Sequence, residues 1–237
     1  FVPHFGMVAH AEEFSKNADS FNLQTAARFA KLSKDNGTWL SPTLTTMVWI
    51  AKQTHSIDHI KNLPALKYVH PLLQSKWLTA NNYVKNASPE NAARFDSMVN
   101  FHFLLIKAFK DAGVPIVAGT DAGVSGVVAG FALHDELELL VQAGLTPPEA
   151  LQAATVLAAQ WLGIDKEAGS IEAGKLADLV LLDANPLTDI KNTRKIAGVF
   201  VNGIWLDSTT LNTMLADLAK RNTADKDKFD WKTLMSR

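Results

Sequence analysis

The chain has 237 residues, of which 47% are hydrophobic, so it can bury a core for one α/β domain or for a domain with a small appendage. Lys and Arg number 23 against 24 Asp and Glu, a balance that does not favour nucleic acid or an anionic membrane as a partner. Cysteine is absent, which excludes disulfides and thiolate metal ligands. No apolar run approaches the roughly 18 residues that span a bilayer. We therefore expect a soluble protein, and the sequence leaves cytoplasmic, secreted and periplasmic locations open.

The first elements in chain order are predicted to be a strand, a helix and a second strand. Met7–Ala9 is a short apolar run that ends at His10. Apolar residues at helical spacing predict a helix over 22–36, which stops at a glycine. A second strand is predicted over 38–44, and Pro42 indicates that its ladder ends there. This order of elements implies a parallel strand pair.

Residues 45–89 have a less regular pattern, and we interpret them as a lid-like insertion. This segment contains large aromatic side chains at Trp49, Tyr68, Trp77 and Tyr83. They either shape a pocket or form a small core of the insertion itself, which is the interpretation we favour. A long amphipathic helix predicted over 90–112 then leads into the next strand.

Residues 113–124 combine a short β-branched run with a carboxylate among glycines. Val114, Ile116 and Val117 lie in a run too short for a helix, which predicts a parallel strand buried on both faces. Asp121 follows at the carboxyl end of this strand, where α/β barrels collect their catalytic residues. The local sequence favours equally an alternative in which Asp121 caps the next helix.

The rest of the chain is predicted to contain helices, then strands, then a final helix with a charged, mobile tail. Thr146-Pro-Pro-Glu is a helix-start signal, and Asn202-Gly203 is a strong hairpin signal. The predicted elements cover 131–143, 147–162, 177–183, 196–206 and 209–221.

His10 and Asp121 each end a predicted parallel strand, so both are expected to face one pocket. An imidazole and a carboxylate suit a divalent metal such as zinc, and the carboxylate can also deprotonate a metal-bound water. A catalytic zinc usually takes three protein ligands, so these two leave the site incomplete. His134, early in the helix after Asp121, either contacts substrate or is a plain histidine on the helix surface.

The other histidines are weaker candidates. His4 is too close in sequence to His10 to end a different parallel strand. His55 and His59 have the spacing of a helical metal pair, but no Glu lies between them as in zincins. His102 lies among apolar neighbours in a helix. Motifs of serine hydrolases, P-loop enzymes and dinucleotide oxidoreductases are absent from the sequence.

Three motifs together resemble the metal-dependent amidohydrolase superfamily, in its imidazolonepropionase-like and Xaa-Pro-dipeptidase-like branch. The first is Val117-Ala-Gly-Thr-Asp-Ala-Gly123, the second is Leu133-His-Asp-Glu extending to Leu151, and the third is Gly169-Ser-Ile-Glu-Ala-Gly extending to Asp183 with Asn185-Pro186. The resemblance spans roughly 115–206, while 7–44 matches more loosely.

The resemblance implies an α/β fold, the C-terminal part of a (β/α)8 TIM-like barrel with strands of a small β-sandwich. Residues 1–165 would be the partial barrel with strands six to eight, 166–207 the sandwich strands, and 208–237 a C-terminal helix and tail. His10 matches the family's metal ligand on strand six. Asp121 matches the strand-eight aspartate, which binds metal and acts as general base. The implied cofactor is one or two divalent ions, with zinc the foremost choice.

The family's remaining metal ligands would all precede Phe1. We therefore predict the C-terminal portion of a hydrolase that acts on C–N bonds of a small-molecule or dipeptide-like substrate and is inactive as this chain alone. We expect the chain to pair with the missing half of the barrel or to form a homo-oligomer. The alternative is a catalytically incomplete fragment or a non-catalytic half-barrel interaction module.

Overall fold

A computed structural model describes residues 6–235 of the chain. Its first sheet is parallel: strand β1 (Met7–Ala9) pairs with strand β2 (Trp39–Ser41). On the other side of β2, Leu40 forms a parallel bridge with Ile116. The predicted strand order and the parallel pairing are therefore confirmed. The three strand ends lie side by side, with β2 in the middle.

The third strand is much shorter than predicted, because only the bridge at Ile116 remains of it. Pro115 has no N–H to donate to a ladder, which limits regular pairing. Its carbonyl accepts from the Leu40 N–H at 3.0 Å, and the Val117 N–H donates to the Leu40 carbonyl at 2.8 Å. Val114, Ile116 and Val117 are buried, as expected of a central strand.

Three helices cover this sheet: α1 (Glu12–Lys16), α2 (Leu23–Asp35) and α7 (Pro89–Asp111). The two long helices start and end within one residue of the predicted bounds. Asn22 caps α2, since its side chain accepts from the Thr25 N–H at 2.9 Å. Between the helices and the sheet lies an aromatic cluster of Phe14, Phe29 and Phe109.

Residues 45–89 are more regular than predicted. The first helix of this segment, α3 (Leu44–His55), begins where the second strand was expected to end. The shorter helices are α4 (Asp58–Lys61), a 3-10 helix (Pro64–Tyr68), α5 (Pro71–Thr79) and α6 (Asn82–Lys85). Trp49 and Trp77 are buried in a small core, which the segment shares with Val127 and Val128.

Helix α8 (Ala132–Gln142) agrees with its prediction, but the helix predicted over 147–162 is divided. Its two parts are α9 (Pro147–Ala154) and α10 (Val156–Leu162), which meet at Thr155 with φ −129° and ψ −88°. The Thr155 hydroxyl donates to the carbonyl of Leu151, a side-chain bond that often bends helices.

An antiparallel sheet follows, made of β3 (Leu179–Leu182), β4 (Ile196–Val201) and β5 (Ile204–Asp207). Asn202 and Gly203 both have positive φ, at 51° and 77°, as the predicted two-residue hairpin turn requires. A 3-10 helix (Ile190–Arg194) leads into β4.

The C-terminal segment is more ordered than its charged sequence predicts. Helix α11 (Ser208–Ala224) is followed by a 3-10 turn (Lys226–Lys228) and by α12 (Trp231–Met235). The Trp231 N–H donates to the Ser75 hydroxyl of α5 at 3.0 Å, so the expected mobile tail is docked instead. Within residues 6–235, no helix combines the length and the apolar character needed to cross a membrane.

Candidate active site

Three residues at the carboxyl ends of the parallel strand segments have left-handed backbone conformations. The φ angles are 69° at His10, 50° at Thr43 and 53° at Asp121. Elsewhere in residues 6–235, only Asn202 of the hairpin turn combines a positive φ with a side chain. Left-handed residues other than glycine are uncommon, and such strain clusters at functional sites. The edge of the sheet is therefore the candidate site.

The backbone and a threonine hold His10 in place. Its N–H donates to the Ser41 carbonyl at 2.8 Å, and its Nδ1 lies 2.8 Å from the Thr43 hydroxyl. That hydroxyl donates its single hydrogen to the Pro42 carbonyl at 2.8 Å, so toward His10 it can only accept. Nδ1 of His10 therefore carries the hydrogen, which leaves the Nε2 lone pair free for a ligand.

Asp121 lies at the same edge and does not cap the next helix. Helix α8 begins at Ala132, and its N-cap position is Phe131. The Asp121 side chain is exposed, and its carboxylate makes no hydrogen bond or ion pair with the described part of the chain. The backbone just before Asp121 is held by α3, because the Thr46 hydroxyl donates to the Thr120 carbonyl at 2.9 Å.

The donor types at this edge suit a divalent metal, but the set is small. Within the described residues, no group of three or more His, Asp or Glu side chains is arranged to hold a metal ion. The Nε2 of His10 and the unpaired carboxylate of Asp121 are donor types that zinc accepts. Their role as metal ligands stays a prediction.

Glu136 of α8 is the one fully buried carboxyl group next to this edge among the described residues. Its carboxylate accepts from the N–H groups of Leu44 and Thr45 at 3.0 and 2.7 Å, and from the Thr45 hydroxyl at 2.7 Å. Burial raises the pKa of Glu136 to about 7, although the three donors partly oppose that shift. The sequence prediction missed this residue, and the only signal for it was its place in the second motif.

Tyr83, from the segment over 45–89, also lies near this edge. Burial, followed by the negative charges of Glu12 and Asp121, raises the pKa of its phenol. Its helix is held by Asn81, whose amide donates to the Gln53 side chain at 2.5 Å. Gln53 in turn donates to the Ser125 carbonyl at 3.0 Å, which links this segment to the loop after Asp121.

Three other histidines have partners of their own in the described structure, and one lies outside it. Nδ1 of His134 lies 3.0 Å from the Thr193 hydroxyl, and burial lowers the pKa of this histidine. His55 pairs with Asp96 on the surface at 3.0 Å. His102 is buried and pairs with a serine of α1. His4 lies outside the described residues. The substrate contact predicted for His134 stays a prediction.

The fold and the site define a mixed α/β protein whose candidate ligands lie at the carboxyl ends of parallel strands. The family model described as the amidohydrolase family matches residues 8–206, and the chain belongs to that family. This match confirms the resemblance that the three sequence motifs indicated.

Among similar proteins, the imidazolonepropionase of Thermoplasma volcanium is 33% identical over 102 residues, which are 41% of this chain and 24% of that protein. The structure of a bottromycin amidohydrolase covers 98% of this chain and 51% of its own, with a TM-score of 0.69 and 22% identity. A Xaa-Pro dipeptidase with methionine bound in its active site covers 85% of this chain and 40% of its own, with a TM-score of 0.59 and 24% identity. The chain thus spans about a quarter of that curated relative, and the structural likenesses show the fold.

Proposed function

We propose that this chain is part of a metal-dependent hydrolase that cleaves C–N bonds, in which His10 and Asp121 are metal ligands. The observation that carries this proposal is the pair of hydrogen bonds that the Thr43 hydroxyl makes with His10 Nδ1 and the Pro42 carbonyl, which assigns the tautomer of His10. Its Nδ1 hydrogen is directed to Thr43, whose own hydrogen is used by Pro42, so Nε2 presents a lone pair at the strand edge. A histidine whose Nε2 is uncommitted, at the same strand edge as an unpaired carboxylate, supports the assignment of both residues as ligands.

Each residue then has a separate role. Bound metal would lower the pKa of a water molecule and polarise the substrate carbonyl. His10 holds its side of the site through Nε2. Asp121, with an exposed carboxylate that no cation neutralises within the described chain, can both bind and accept the proton of the attacking water. Tyr83, whose phenol is influenced by the charge of Asp121, is assigned a contact with the substrate.

The remaining ligands would come from residues upstream of this chain, as part of a complete (β/α)8 barrel. Two donors are fewer than a catalytic zinc needs, and the similar proteins are two to four times as long as the matched segment. The substrate class would be a small amide, cyclic amide or dipeptide, in keeping with the names of the imidazolonepropionase and dipeptidase relatives. On this proposal, the present chain alone is inactive.

The proposal is tested by amide hydrolysis in the longer protein that continues upstream of Phe1. Release of amine from a panel of dipeptides and N-acyl amino acids is measured for the wild type and for Asp121→Asn. We expect the variant to lose at least about 100-fold in kcat, because asparagine cannot accept the proton. Asp217→Asn, at an exposed position of α11, is the matched control and should keep full activity.

Unchanged hydrolysis in Asp121→Asn would overturn the assigned role of Asp121 as base. Hydrolysis that is equally fast with and without a strong chelator would contradict the metal dependence. Turnover by the 237-residue chain on its own would refute the claim that upstream ligands are required.

A further inference from the structure

The N-terminal turn of α3 is connected to both proposed metal ligands. Thr43, the residue before the helix, accepts the hydrogen bond of His10. Thr46, in the first turn, donates to the Thr120 carbonyl, one residue before Asp121. Because one turn of helix contacts both sides of the site, any shift of this turn changes the positions of both ligands together.

This turn cannot be capped in the usual way. A helix leaves its first N–H groups without partners, and the side chain of the N-cap residue normally accepts from one of them. Thr43 occupies the N-cap position of α3, but its φ is 50° and its side chain makes no capping bond. Its hydroxyl is instead shared between His10 and the Pro42 carbonyl. The N–H groups of Leu44 and Thr45 therefore need another acceptor.

Glu136 supplies that acceptor from a distant part of the chain. Both carboxylate oxygens are used, one by the Leu44 N–H and the other by the N–H and hydroxyl of Thr45. The side chain is completely buried, and burying a carboxylate is costly unless it is well paired. A helix end on the surface could be capped by a serine at no such cost. The burial of Glu136 is explained if the first turn of α3 must be held in place while the Thr43 hydroxyl is bonded to His10.

We propose that Glu136 is a positioning residue, which sets the orientation of His10 and the place of Asp121 by capping α3 in place of Thr43. This inference rests on the proposed function for its effect on metal binding. The effect on the conformation of His10 does not depend on that function. Glu136 itself touches neither proposed ligand in the described structure.

The test compares Glu136→Gln with Leu140→Ala in the longer protein. Leu140 lies one turn further along α8 and is equally buried in the main core, but its aliphatic side chain cannot accept a hydrogen bond from the end of α3. Two quantities are measured for each variant: zinc affinity by competition with a chelating dye, and the 15N signals of the His10 ring in the metal-free protein. Thr45→Val, which removes only the hydroxyl bond, serves if Glu136→Gln does not fold.

We expect Glu136→Gln to weaken zinc binding by about 10- to 100-fold, as is typical when a partner that orients a ligand is lost. The His10 ring signals should shift toward a mixture of tautomers in this variant. Leu140→Ala should lower the melting temperature without either change. Equal changes in both variants, or unmoved His10 signals in Glu136→Gln and Thr45→Val, would overturn the inference. If the wild type binds no zinc, the proposed function fails while the ring signals still decide the role of Glu136.

Discussion

Replacement of His102 should change how the stability of the protein depends on pH. His102 is 1% exposed in α7, with Nε2 2.5 Å from the Ser15 hydroxyl. Its Nδ1 has no hydrogen-bond partner within the described structure. Because burial disfavours the charged ring, the pKa of His102 falls from 6.5 to about 4.

The direction of the effect follows from this pKa. Below pH 6.5 the unfolded chain binds a proton at His102, whereas the folded protein leaves the ring neutral down to about pH 4. The free energy of unfolding must therefore decrease as the pH falls through this range. The difference between the two pKa values of His102 corresponds to a loss of roughly 3 kcal/mol in the free energy of unfolding, at about 1.4 kcal/mol per pKa unit.

The assay is urea unfolding of the wild type and of His102→Leu at pH 7.5 and pH 4.5. At pH 7.5 the variant should be less stable by about 1 kcal/mol, since the Ser15 hydroxyl loses its partner. Between pH 7.5 and pH 4.5 the wild type should lose about 2 to 3 kcal/mol more of its free energy of unfolding than the variant does. His59→Leu, at an exposed position, is the control and should follow the wild type. Parallel pH curves for His102→Leu and the wild type would refute the reasoning.

Three further substitutions test the packing and the capping. Gly126→Ala should destabilise the protein by about 3 kcal/mol or more, because φ is +91° and the new Cβ would overlap the Trp49 ring. Gly123→Ala, with φ +112° and open space around it, should lose only the stability that the backbone strain costs. Equal losses of unfolding free energy in the two glycine variants, measured by urea unfolding, would contradict this explanation. Glu149→Gln should cost about 1 kcal/mol at pH 7, since Glu149 closes the capping box of α9 and pairs with Lys110 at 2.9 Å. The bond with Lys110, followed by the bonds with Thr146, lowers the pKa of Glu149 to about 2. The stability difference between Glu149→Gln and the wild type should therefore shrink as the pH falls from 4.5 toward 2. A difference that stays constant over this range would contradict the assigned contacts.

The sequence was sufficient for the elements whose signals are local. Asn22 and the glycine after α2 define that helix within one residue, and Asn202-Gly203 defines the hairpin. The placement of His10 and Asp121 at one edge followed from the parallel order of the strands alone. Such features depend on contacts between residues that are close in sequence or on rules of chain topology.

The parts that the sequence did not reveal depend on contacts between distant residues. Glu136 lies 91 and 92 residues from the groups that it accepts from, so no local pattern could assign it to the end of α3. The shortened third strand depends on a proline inside a run that otherwise looks like a strand. The docked tail depends on Ser75, which lies 156 residues before Trp231.

The central claim is that His10 and Asp121 form part of a metal site that upstream residues complete. The most direct measurement is elemental analysis by mass spectrometry of metal-saturated, desalted protein, on this chain and on the longer protein that continues upstream. We predict that only the longer protein keeps about one or two zinc-type ions per chain, and that the combined His10→Asn and Asp121→Asn substitutions abolish retention. If the longer protein keeps no metal, or keeps it unchanged after both substitutions, the two residues are not metal ligands and the account is wrong.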